Sequence, residues 1–148
     1  MRRPVSCLAI ACAALLSLPA AVSVTAVAHA AQIARDSVDW QAAPVRLLMV
    51  EAKGCIYCAA WNREIGPGYP NSAEGKAAPL LVTDIDGPWP DGVVLDRRPT
   101  ITPTFILLQN GDEVARLEGY PGDQFFYPLI DDMLSKAGLQ AADMREDG

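Results

Sequence analysis

Histidine is almost absent from this chain of 148 residues, which carries one, His29, together with only four cysteines. Basic residues are in deficit too, with 12 Lys and Arg against 18 Asp and Glu. The charges are unevenly placed: the two ahead of residue 31, Arg2 and Arg3, are basic, and every acid follows it. After them Val5 to Ala28 is uncharged and dominated by Ala, Val and Leu. With the small-x-small run Ala28-His29-Ala30, this reads as an export signal over residues 1–30, cleaved after Ala30. The alternative is a retained membrane anchor, which Pro19 and the Ser- and Thr-bearing second half disfavour. The surroundings of Arg2-Arg3 and of Cys7 and Cys12 fit a twin-Arg signal or a lipidation site poorly.

Removal of residues 1–30 sharpens each shortage. His29, Cys7 and Cys12 go with the signal, leaving two cysteines, no histidine and a formal net charge of −8. Without histidine the chain supports neither a Ser-His-Asp nor a Cys-His nucleophile, nor a His-ligated zinc. Two cysteines are too few for a disulfide-stapled scaffold. The acidic balance excludes the basic footprint that nucleic acid requires. No second apolar run is long enough to span a bilayer, so the mature chain is expected to have no stable membrane insertion.

What remains is Cys55-Ile56-Tyr57-Cys58. The close pair would seal only a tiny loop, of little use to stability, and reads more economically as a redox couple in an exported domain. Pro44 to Glu51 is a short apolar run suited to a buried strand, broken by Lys53-Gly54. From Ile56 to Glu64 a helix can continue until Gly66-Pro67-Gly68 stops it. Cys55 is then at the helix N-terminus, where unpaired N–H groups and the dipole favour a thiolate, and is the expected nucleophile. Cys58, one turn deeper, is the expected resolving thiol. Lys53 is a candidate for tuning the thiol by its charge, although a solvated loop lysine explains it as well.

The second half continues in β/α order. A short helix is expected over Ser72 to Ala77 under an Asn71 or Ser72 cap, then a strand over Leu80 to Ile85. Residues 86–102, broken by Pro and Gly, read as mainly loop, with room for one helical turn at the apolar Val93-Val94-Leu95. Thr104 to Gln109 and Glu113 to Glu118 flank Asn110-Gly111, the signature of a tight antiparallel hairpin. A final helix is expected from an Asp123 cap to Gly138, burying Phe126, Leu129, Ile130, Met133 and Leu134. Residues 31–43 form an N-terminal extension, 44–138 the folded domain and 139–148 a polar tail.

Strand, Cys-x-x-Cys helix, strand, loop, Thr102-Pro103-Thr104-Phe105, hairpin and helix together resemble the thioredoxin superfamily. The resemblance implies an α/β fold with a central mixed sheet of about four strands flanked by helices. It also implies a cis Thr102-Pro103 bond beside Cys55, with Tyr57, Thr102 and Pro103 lining the substrate groove. A cis bond there would leave the preceding backbone free to pair with an extended substrate segment.

Departures from the pattern are instructive. Cytosolic thioredoxins carry Trp-Cys-Gly-Pro-Cys, whereas Gly54 precedes Cys55 here and Ile-Tyr separates the cysteines. Tyr57 before the second cysteine and Thr102 before the proline are closer to glutaredoxins. Met49 stands where thioredoxins keep a buried acid, six residues before the first cysteine. Glu51 is the nearest acid and a candidate proton acceptor for Cys58, or simply a solvated strand-end charge.

The run from Cys55 to Trp61 and the segment Glu118-Gly119-Tyr120-Pro121-Gly122 resemble the periplasmic thioredoxins of bacterial sulfur-oxidation (Sox) clusters. That resemblance implies a periplasmic thiol–disulfide oxidoreductase that reduces a disulfide or thiolated cysteine of a partner protein, such as a sulfur carrier. Its redox group would be the Cys55–Cys58 disulfide, with no other cofactor and no metal, recharged by a membrane electron donor. Rival readings are a protein disulfide oxidant or isomerase, a Cu(I)-binding module and a structural disulfide in an adaptor domain.

Overall fold

The computed structural model describes residues 38–139. The export segment 1–30 with its cleavage after Ala30, residues 31–37 of the extension and residues 140–148 of the tail lie outside the described residues.

Strand β1 (Val45–Glu51) is deeply buried, with Leu47, Leu48, Met49 and Val50 all at 0% exposure. Alternating residues of a strand point to opposite faces, so an unbroken apolar run requires cover on both. The sheet supplies that setting: β1 pairs parallel with β2 (Leu80–Asp84) and antiparallel with β3 (Thr104–Gln109), and β4 (Asp112–Glu118) completes the order β2-β1-β3-β4. The parallel β1–β2 pair needs a crossover. Residues 52–79 provide it with α1 (Ile56–Glu64), a 3-10 turn (Tyr69–Asn71) and α2 (Ala73–Ala77).

Ser72 caps α2, accepting the Gly75 N–H at 2.9 Å while its hydroxyl donates to the Tyr69 carbonyl at 2.9 Å. Gly75 packs so tightly on the Tyr69–Pro70 backbone that a Cβ would collide with the Tyr69 carbonyl oxygen. Asn110 and Gly111 both adopt positive φ, 53° and 94°, as a two-residue hairpin turn matched to sheet twist demands.

The helices cover one face. Leu47, Met49, Phe105 and Leu107 pack against Trp61 and Ile65 and against Phe126, Ile130, Met133 and Leu134 of α3 (Asp123–Lys136). Aromatic rings interlock there, with Phe105 to Phe126 at 4.9 Å and Trp61 to Phe105 at 5.4 Å between centroids. Two local expectations for α3 fail. Leu129 is exposed, because the buried stripe is centred on 126, 130, 133 and 134 and leaves 129 at its rim. The cap is Gly122, with Asp123 the first helical residue.

On the other face Leu48, Val50, Ile106 and Leu108 are roofed by side chains rather than a helix: Trp40, Leu81, Ile85, Trp89, Val93 and Leu95. No helical turn forms at 93–95. Val94 instead forms a parallel bridge to Asp112, its N–H donating to the Gly111 carbonyl at 2.9 Å and its carbonyl accepting the Glu113 N–H at 3.0 Å. The free edge of β4 offers these groups partners that a helical turn would forgo.

Candidate active site

Beyond Glu51 the chain leaves the sheet, turns at Gly54 with φ 78° and enters α1 at Cys55. Cys55 is the N-cap, a place usually held by a Ser, Thr, Asp or Asn oxygen. Its sulfur takes that part, accepting the Cys58 N–H at 3.0 Å. The two sulfurs form a disulfide of 2.12 Å with Cα atoms 5.2 Å apart. Cys58 is buried at 3% exposure and belongs to the helix-side core, whereas Cys55 is partly open. Cys55 is therefore the more accessible of the two cysteines and Cys58 the sheltered one.

A groove of about 470 Å³ runs beside the pair, lined in part by Glu51, Lys53, Cys55, Cys58, Asn62 and Asp84. Glu51 and Lys53 thus share one groove with both cysteines. Asn62 donates its amide to Glu51 Oε2 at 3.3 Å. Neither Asn62 nor Asp84 was singled out from the sequence. Asn62 lies one helical turn beyond Cys58, and Asp84 arrives through the β1–β2 register, which sets it opposite Glu51. The helical spacing was readable for Asn62, whereas Asp84 needed the register.

Tyr57, Thr102 and Pro103 do not line that groove. The register pairs Val50 with Thr104 and Thr104 with Glu118, so residues before Thr104 and residues after Glu51 leave the sheet at the same end. The Thr102–Pro103 bond is cis, as is Gly87–Pro88, which the sequence reading did not anticipate. Around the turn, Thr104 Oγ1 donates to the Ile101 carbonyl at 2.7 Å and the Gly119 N–H to the Pro103 carbonyl at 2.8 Å. Among the described residues the N–H and carbonyl of Thr102 have no backbone partner. Ile56, Tyr57 and Ile101 are exposed at 73%, 59% and 49%.

Tyr120 braces the far end of α1. Its hydroxyl donates to Glu64 Oε2 at 2.9 Å, and that bond, with the Arg63 guanidinium, holds the Glu64 carboxyl below its ordinary range. Burial, reinforced by the Glu64 carboxylate, pushes the Tyr120 phenol up.

Among the described residues no cluster of three or more His, Cys, Asp and Glu could hold a metal, and no helix is long and apolar enough to cross a membrane. No family model and no curated protein matches the chain. Among solved structures it is similar to the reduced periplasmic thioredoxin SoxS from Paracoccus pantotrophus, at 47% identity and a TM-score of 0.61. The similarity covers 63% of this chain and 98% of that one.

Proposed function

The chain belongs to the thioredoxin superfamily and is a thiol–disulfide oxidoreductase, and from that premise we propose that it is an exported, periplasmic reductant of a partner protein's disulfide or thiolated cysteine. The observation that carries the reading is the cap: the sulfur of a partly exposed Cys55 accepts the Cys58 N–H at the start of α1, with Cys58 sheltered one turn on. The same bond and the helix dipole stabilise a thiolate on Cys55.

In the reduced chain, the Cys55 thiolate attacks one sulfur of the partner, forming a mixed disulfide and expelling the partner's other sulfur as a thiolate. Cys58 then gives up its proton and attacks the Cys55 sulfur, releasing the partner's second thiolate. The Cys55–Cys58 disulfide is left behind, and two electrons have passed to the partner. Glu51, in the groove with Cys58, receives that proton, and Lys53 adds positive potential beside Cys55. The partner segment lies along Tyr57, Thr102 and Pro103, pairing with the free backbone of Thr102.

The partner is a sulfur-carrier protein of a Sox-type system. A membrane donor returns the electrons, since an oxidising periplasm supplies none. Residues 44–138 make the working domain and 1–30 its export signal.

Two measurements test this reading. The Cys55–Cys58 couple, equilibrated with thiol buffers and read by alkylation and mass, is expected at or below about −230 mV, and a value near −120 mV would make the chain an oxidant instead. Cys58→Ser is expected to retain the partner as a mixed disulfide on Cys55, while Cys55→Ser retains none. Equal trapping by the two variants would refute the assigned roles.

A further inference from the structure

Residues 85–103 carry Ile101, Thr102 and Pro103 toward the dithiol end of the sheet with no helix or strand of their own. Something must fix where they arrive. We infer that Arg116, with Glu113, Glu118 and Arg97, is a positioning cluster that latches this segment to the free edge of β4 and so sets the face on which a protein disulfide docks. The inference rests on the thiol–disulfide reading above.

Arg116 is the hub. Its Nε and Nη2 donate to Glu113 Oε1 and Oε2, each at 2.7 Å, and Nη2 also donates to the Arg97 carbonyl at 2.7 Å. Its Nη1 stands 3.6 Å from Glu118 Oε1, which pairs with Arg97 Nη2 at 2.6 Å. Glu113 Oε2 also accepts the Asp96 N–H at 3.1 Å. The side chains of Arg116 and Glu113 are only 7% and 4% exposed.

Burying such a pair is a poor route to stability, because desolvation offsets most of the attraction and an apolar pair would fill the space as well. A guanidinium does what an apolar pair cannot. Its rigid fork holds both oxygens of one carboxylate while reaching the Arg97 carbonyl, so it specifies where that backbone lies.

The latch grips both sides of the docking turn. Upstream it holds Asp96 and Arg97. Downstream, Glu118 stands opposite Thr104, and the next residue, Gly119, donates to the Pro103 carbonyl at 2.8 Å. None of the four residues lines the groove beside the sulfurs, so they act on docking through the segment and not on sulfur chemistry.

The test uses two variants of the full chain. Arg97→Ala with Glu118→Gln cuts the outer links, which are solvent-exposed and worth little to stability. Arg116→Met with Glu113→Leu removes the hub while keeping the packing, in case the first variant leaves the segment in place. Turnover is measured with insulin, a protein disulfide, and with 5,5′-dithiobis(2-nitrobenzoate), which has no peptide backbone to dock.

The latch predicts a KM for insulin raised about tenfold in at least one variant, with kcat and the small-disulfide rate changed by less than about twofold. The redox potential of the cysteine couple should not move. An unchanged insulin KM in both variants, or equal losses on the two substrates, would overturn the latch. A parent chain that reduces neither substrate would overturn the thiol–disulfide reading itself.

Discussion

At the residue scale the decisive position is Cys55, where a sulfur does the work of a helix-capping oxygen. Cys58 shares the motif but has neither the cap nor the access. In the reduced protein at pH 6, iodoacetamide is therefore expected to alkylate Cys55 at least about tenfold faster than Cys58, read by peptide mass. Equal rates would mean that the cap does not favour the thiolate. The two cysteines were legible because their chemistry is contiguous in the chain and a strand-breaking Gly54 precedes them. Asp84 was not, since 26 residues separate it from Cys58 and only strand pairing sets it opposite Glu51. Arg116 was equally silent, one more charge on an alternating strand until Arg97 folds back onto it.

At the scale of single elements, what could be read follows what is local. Asn110-Gly111 announces its hairpin because both residues tolerate the left-handed conformation that the turn requires. Ser72 announces α2 because its hydroxyl has an N–H to cap. Val93 to Leu95 gave a misleading signal, since three apolar residues suit a helical turn as well as a bridge and the free edge of β4 decides between them.

Gly75 carries a requirement that composition hides. Helix propensity favours Ala there, yet the Tyr69 backbone occupies the space of a methyl group. Gly75→Ala is expected to destabilise the fold by about 2 kcal/mol, the overpacking penalty outweighing the gain in propensity, as measured by urea unfolding. A neutral or stabilising effect would mean that the 3-10 turn and α2 can separate freely.

For the whole molecule, charge sets the pH range of the fold. Burial works to raise the Glu113 carboxyl, but the Arg116 hydrogen bonds, the Asp96 N–H and the charges of Arg116 and Arg97 outweigh it and hold the group below its ordinary range. Glu64 is lowered as well, by Tyr120 and Arg63. A depressed folded-state pKa contributes stability above the unfolded value, and that contribution is lost as pH falls through the folded value. Burial raises Tyr69, Tyr120 and Tyr127, with the opposite sign: their contribution is complete below the unfolded value and is lost as pH rises through the folded ones. Urea midpoints are thus expected to be level between about pH 5 and 9, falling below about pH 4.5 and again above about pH 10. Arg116→Met with Glu113→Leu should soften the acid fall, and an unchanged acid limb would show that the pair does not govern it.

The roof over Leu48, Val50, Ile106 and Leu108 has a consequence for how this protein opens. A cover without regular structure is the region expected to come away first in a local unfolding event. When residues 85–103 lift, they uncover much of that apolar layer and carry the cis Thr102–Pro103 turn away from the sheet together. On the function proposed above, a molecule caught in that state keeps its cysteines yet can neither hold a partner nor hide its second core, so loss of activity and exposure to proteases are one event.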